Sequence, residues 1–190
     1  MGRRQRAADF LALLDPHKDS LARYAHRSAW RPADAPDILQ DTVTTAWREF
    51  HRFRIGTNFR AWVFKIMVHM VYKANRRHGL ERGAVRVEDL EIEDVSLERE
   101  DAWQSVLASP ERVMQGLDER LLEALRALGV DERQCLLLRL IEGFTYREIS
   151  DLLDVPLGTV MSHVHRARIA LRERLATLAI ERRLVKGATG

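Results

Sequence analysis

Two histidines, two arginines, a serine and a threonine crowd residues 159–168, within the stretch VPLGTVMSHVHRAR. These types can ligate a metal ion, form the solvated face of a helix, or contact the base edges and phosphates of a nucleic acid. On a helix the spacing disfavours a metal: His163 and His165 are two apart and point roughly 200° away from each other, whereas helical ligand pairs need three or four. The same geometry gathers Val160, Val164, Ala167, Leu171 and Leu175 within about 80° of arc, which makes that arc the buried stripe. Thr159, Ser162 and Arg166 fall on the opposite side, flanked by His163 and His165, so short polar groups and cations are expected to face outward. Hydroxyls and a guanidinium suit a DNA groove. An ordinary amphipathic helix in a bundle is the competing reading.

The elements that must position this stretch are legible upstream. In TYREISDLLD, Thr145 and Glu148 have capping-box spacing, and Ile149, Leu152 and Leu153 face a core. A D-V-P turn follows, with Val155 as its buried plug and Pro156 and Gly158 shaping the turn. A capped short helix, a turn and a second helix make a helix-turn-helix. Before it, SPER at 109–112 looks like a turn into LDERLLEALRALG, with leucines at 117, 121, 122, 125 and 128. Asp131 is placed as the cap of the next helix, which runs through Ile141 to a stop at Gly143. The single cysteine, Cys135, sits among leucines and reads as a buried thiol rather than a nucleophile.

The first half is helical too. Residues 9–29 read as one helix ended by RPADAP, where two prolines forbid continuation. After Pro36, Ile38, Leu39, Thr42, Val43, Ala46, Trp47 and Phe50 form an apolar stripe, and Asp37, Gln40, Asp41, Thr44 and Thr45 form the polar face. The segment RFRIGTN breaks the pattern, and Asn58 is placed to cap a helix starting at Phe59. That helix is expected to turn Phe59, Val63, Ile66 and Met70 inward and to end in Lys73, Arg76 and Arg77, with Gly79 as its stop. No segment shows strand alternation. The predicted fold class is therefore all-α.

At 190 residues and 22.0 kDa, with 46% hydrophobic and 31% charged residues, the chain suits two small soluble domains. The net charge of +3 hides an uneven distribution. Nine Lys or Arg (52, 54, 60, 65, 73, 76, 77, 82, 86) precede an acidic run with eight carboxylates (88, 89, 91, 93, 94, 98, 100, 101), and residues 158–186 are basic again. That order predicts a domain over 1–79, a flexible acidic linker over 80–108 and a helix-turn-helix domain over 109–190, both domains approaching a polyanion that the linker avoids. No apolar run is long enough for a membrane span, and MGRRQRAADF carries no signal-peptide core, so a cytoplasmic protein without membrane insertion is expected. No phosphate-cradling glycine loop, metal-ligand cluster or nucleophile motif is present, so neither catalytic residues, a metal site nor a cofactor is expected, and an enzyme is disfavoured.

The stretch LRALGVDERQCLLLRLIEGFTYREISDLLDVPLGTVMSHVHRARIALRERL resembles the promoter-distal DNA-binding domain of bacterial extracytoplasmic-function (ECF) sigma factors. In the first half, DILQDTVTTAW resembles their polymerase-clamp helix, and FRAWVFKIMVHMVYKANRR their promoter-melting helix. The resemblance covers roughly residues 10–79 and 109–178 in the family's order. It implies two partners, RNA polymerase core and promoter DNA, and a possible third, an anti-sigma factor, which family members commonly bind between their domains.

Residue by residue, the resemblance assigns Asp37, Leu39, Gln40 and Asp41 to the surface that grips core polymerase. It assigns Arg54, Asn58, Phe59 and Arg60 to a pocket for a base flipped from the −10 element, and Lys65, His69, Lys73, Arg76 and Arg77 to −10 DNA along the same helix. Trp62 matches the family tryptophan, with a packing role. Thr159, Met161, Ser162, His163, His165 and Arg166 are implied to meet the −35 element. The chain departs from the family pattern at His69, where Asn is frequent, at His163, where Arg is common, and at Asp154 and Ser150, where Gly and Ala are common. The alternatives to a sigma factor are a stand-alone helix-turn-helix transcriptional regulator, which leaves the Asp37–Asp41 face without a role, and a sigma-like decoy that binds a regulator, against which the basic helix 158–175 argues.

Overall fold

Residues 3–79 and 118–187 are described by a computed structural model, and every regular element among them is helical. They fall into two units. The first begins with α1 (Arg3–Leu14) and α2 (Lys18–Ser28), separated by a single 3-10 turn at Asp15–His17. One helix over 9–29 was expected; Pro16 breaks it, because proline supplies no N–H and crowds the carbonyl four residues back. A second 3-10 turn at Pro32–Asp34 leads into α3 (Ala35–Glu49), with Pro36 in its first turn, where a missing N–H costs nothing. After a third such turn (Phe50–Arg52), α4 (Phe59–Arg76) completes the unit.

Helix α4 packs against both α2 and α3, which sets how much of it is buried. Phe59, Val63, Phe64, Met67, Val68 and Val71 are buried, about half the circumference, whereas Ile66 and Met70, expected inside, sit half-buried at the edge. On α3 the buried residues are Ala35, Ile38, Thr42 and Ala46, with Leu39, Val43 and Trp47 half-buried. The hydroxyl of Thr42 donates to the Ile38 carbonyl at 2.7 Å, so its polar atom is satisfied inside the core. Asn75 is the buried polar residue of α4. Its Oδ1 accepts the Trp30 backbone N–H at 2.9 Å and its Nδ2 donates to the Ser28 carbonyl at 3.2 Å, tying the end of α2 to the last turn of α4.

The second unit comprises α5 (Asp118–Arg126), α6 (Val130–Leu140), α7 (Tyr146–Leu153) and α8 (Leu157–Gly187). Leu121, Leu122, Leu125 and Leu128 are buried; Leu117, the SPER turn and the acidic linker lie outside the described residues. Gly129, rather than Asp131, occupies the N-cap of α6, and Asp131 lies one residue inside the helix and is itself buried. Nearly all of α6 is enclosed, Cys135 included. Gly143 takes φ +68° after the helix, a left-handed conformation that suits glycine.

The α7 cap forms as its spacing predicts. The Thr145 N–H donates to Glu148 Oε2 at 2.8 Å and the Glu148 N–H to Thr145 Oγ1 at 3.2 Å. Between α7 and α8, Asp154 adopts φ +56°, which Asp tolerates better than most residues. Val155 is half-buried rather than a fully buried plug, and Gly158 belongs to the first turn of α8 rather than to the loop. Val160, Val164, Ala167 and Leu171 are buried as the helical stripe requires.

Candidate nucleic-acid interface

In the first unit the loop before α4 is built around a turn. Both the N–H and the hydroxyl of Thr57 donate to the Arg54 carbonyl, at 3.1 and 2.7 Å, and Gly56 takes φ +92° at its apex. This holds Arg54 and Ile55 outward and exposed. Asn58 then caps α4, its Oδ1 accepting the Ala61 N–H at 3.0 Å. Arg60 lies over the Phe64 ring at 5.3 Å, a cation–π contact.

Phe59 does not face this surface. It is 5% exposed and packs among the rings of Phe10, Phe50, Phe53 and Trp62, with centroids 5.3 to 6.4 Å away. The expectation that Phe59 touches a flipped base is therefore corrected: four aromatic rings make a better environment for it than an open pocket. Trp62 belongs to the same cluster, in the packing role expected of it. His17 stacks on Phe59 at 6.2 Å, and burial, then the neighbouring Arg60 charge, hold its pKa below the ordinary histidine value.

Along α4, Lys65, His69, Lys73 and Arg76 are all exposed and, at i, i+4, i+8 and i+11, lie within about 80° of arc. They form a continuous ridge carrying three fixed positive charges, and Arg77 extends it into the following turn. On α3, Asp37, Gln40 and Asp41 are exposed and Leu39 is half-buried. The acidic face and the basic ridge meet at a cleft of about 140 Å³, with Asp37 and Asp41 on one side and Lys73 and Arg77 on the other. At the same cleft His78 Nε2 and Asp34 Oδ2 are 2.8 Å apart. One small unit thus presents an anionic and a cationic surface with a common edge.

In the second unit the outward face of α8 is turned from the one expected. Thr159 and His163, placed outside by the helical pattern, are 9% and 7% exposed. The cause is α6, which packs along that flank. As far as Arg172 the residues left exposed are Leu157, Gly158, Met161, His165, Ile169 and Arg172, with Ser162, Arg166, Arg168 and Ala170 half-buried. The exposed face is roughly 100° further round the helix than the Thr159–Ser162–Arg166 face.

Arg166 is half-exposed at the boundary and is held on two sides. Its Nε donates to Glu132 Oε1 of α6 at 2.9 Å, and its Nη2 donates to His163 Nδ1 at 2.9 Å. Accepting at Nδ1 leaves the proton of the neutral imidazole on Nε2. Burial, then the Arg166 charge, lower the His163 pKa, and the carboxylates of Asp131 and Glu132 oppose them only in part. Sequence reasoning did not find Glu132, because nothing local marks a residue whose partner lies 34 positions away. No cluster of three or more His, Cys, Asp or Glu among the described residues could hold a metal ion. Nor is any described helix long and apolar enough to cross a membrane.

Comparison with known proteins bears on both units. The family described as Sigma-70 region 2 matches residues 13–81, and Sigma-70, region 4 matches residues 118–171. The chain is 33% identical over 166 residues to the ECF RNA polymerase sigma factor SigE of Mycolicibacterium smegmatis, a match covering 86% of this chain and 60% of that one. It is 28% identical over 171 residues to the ECF RNA polymerase sigma-E factor of Salmonella typhimurium, covering 83% of this chain and 85% of the relative. In fold it is similar to the sigma factor RpoE of Bartonella quintana, solved in complex with the anti-sigma factor NepR, with a TM-score of 0.65 and 24% identity over 88% of this chain and 97% of that one.

Proposed function

This chain belongs to the sigma-70 family, among the ECF RNA polymerase sigma factors, and from that membership we propose that it directs core RNA polymerase to promoters, reading −35 duplex with its second unit and a −10 element with its first, where it starts strand opening. The observation that carries the proposal is the pairing, in one chain, of a capped helix-turn-helix with a separate unit whose α4 bears a cationic ridge beside an acidic α3 face. A stand-alone regulator would use only the first of these.

Energetics favour two readers. A bidentate base contact contributes about 1–3 kcal/mol of discrimination, and unstacking a base costs a few kcal/mol, so one short helix cannot both choose a site and open it. Joining a duplex reader to a strand-opening module raises the local concentration of each at the other's site. The proposed modules span residues 1–79 and 109–190, with 80–108 as the acidic connection.

Asp37, Gln40, Asp41 and the exposed edge of Leu39 serve core polymerase in this reading. Arg54, Asn58 and Arg60 border the flipped base, and Lys65, His69, Lys73, Arg76 and Arg77 follow the −10 strand. Met161, Ser162, His165 and Arg166 meet the −35 element, while Phe59, Thr159 and His163 support these surfaces from inside. The factor works by binding rather than by catalysis, in the cytoplasm with its polymerase. The Bartonella neighbour was solved with an anti-sigma factor, and a partner of that kind, covering the polymerase-facing surface, is proposed here too. The test is run-off transcription with core polymerase on a genomic promoter pool: specific start sites are expected, and their complete absence refutes the proposal.

A further inference from the structure

If promoter reading holds, the exposed face of α8 also narrows what is read. Two groups suited to polar base contacts are withdrawn from the groove side, since Thr159 and His163 are buried, and Arg166 reaches DNA with only part of its guanidinium because Nε and Nη2 are engaged by Glu132 and His163. What replaces them in the first two turns is apolar. Leu157 is 45% and Met161 38% exposed, one turn apart and about 40° round the helix from each other. Beside them Gly158 leaves the backbone bare, and a Cβ there would meet nothing within 4 Å. Glycine weakens a helix relative to alanine, and no neighbour among the described residues requires it. The gap is open to something approaching from outside.

Arg168, half-buried, and Arg172, exposed, lie on the same side of the helix two and three turns beyond Met161, so this side suits phosphates rather than an apolar protein partner. Among the base edges of the major groove, the only apolar feature is the C5-methyl of thymine. We infer that Met161, with Leu157 beside it, is a specificity-determining residue of −35 recognition that reads thymine through its methyl group. Its flexible thioether fits an irregular surface at little strain. The reader differs in kind from a guanidinium on guanine: it senses a methyl and is blind to the hydrogen-bonding edge that thymine shares with uracil.

The test uses holoenzyme assembled from the full chain and core polymerase. It selects from a promoter library randomised across the −35 element, synthesised once with thymidine and once with deoxyuridine. Thymine is expected to be enriched at one or two positions by about fourfold per buried methyl, and the enrichment is expected to disappear in the deoxyuridine library. Met161→Ala should lower the preference in the thymidine library to the deoxyuridine level. Enrichment that survives loss of the methyl, or methyl dependence that is the same in Met161→Ala, overturns the inference and leaves promoter reading standing. Absence of any −35 selection overturns promoter reading and the inference with it.

Discussion

Replacing Phe59 with alanine separates a core residue from a DNA-contacting one. The ring is 5% exposed and has five aromatic neighbours, counting His17. Truncating a buried phenylalanine costs about 3–5 kcal/mol in transfer and cavity terms. A domain of this size has a total stability near the lower end of 5–15 kcal/mol, so much of it is removed. At about 4–8 °C per kcal/mol for a 60–100-residue domain, the first unit should unfold at least roughly 12 °C lower. Calorimetry of the full chain reads this directly, because the second unit should keep its own transition and serve as an internal control. Phe59→Leu, which keeps most of the volume, should lose under about 1.5 kcal/mol and retain binding to a −10 fork probe. The reasoning is refuted if Phe59→Ala melts within about 2 °C of the parent while losing that probe, since the ring would then be working at the surface.

His163 should make the second unit pH-sensitive. Its folded pKa is depressed, so between that value and the ordinary 6.5 the unfolded chain binds more protons. Stability should be complete above pH 6.5 and fall as pH drops below it, and His163→Gln should flatten that slope in denaturant titrations at pH 7.5 and 5.5. His163→Arg would put a second guanidinium against Arg166 in a site 7% exposed, so it should destabilise the unit rather than merely shift −35 preference; an unchanged melting temperature sinks this. Glu132→Gln removes a half-exposed ion pair and should cost under about 1 kcal/mol by melting while changing −35 selection through the freed Arg166. Neutralising the acidic residues between 88 and 101 should strengthen polymerase-free DNA binding at matched salt, and unchanged affinity contradicts the proposed restraint.

Elements set by local chemistry were legible in the sequence. The Thr145–Glu148 box, the Asn58 cap, the Asp154 turn and the Val160–Leu171 stripe depend on residues within a few positions of one another, and periodicity reports such relations well. What failed depended on neighbours distant in the chain. A helical wheel shows that Thr159 and His163 oppose the valine stripe, but it does not show that α6 covers their flank. Phe59 is placed inward by the helical pattern and at a flipped base by the resemblance; its surroundings, from α1, from α3's end and from the loop at once, agree with the pattern. The break at Pro16 is a different miss, since proline inside a helical pattern is a local signal that was there to be used.

Asn75 touches no surface, yet it limits how this sequence can drift. Its amide is both acceptor and donor to two backbone groups of another segment, in a position that is 1% exposed. Aspartate has the shape but no donor and would carry a charge; leucine has the volume but strands both backbone groups; glutamine has the chemistry one methylene too far out. A library randomised at this codon should return asparagine almost alone, even under selection for folding with no promoter present. The basic end of α4 thus owes part of its fixed position to a residue that offers no surface to any partner, and whose constraint comes from two backbone groups rather than from recognition.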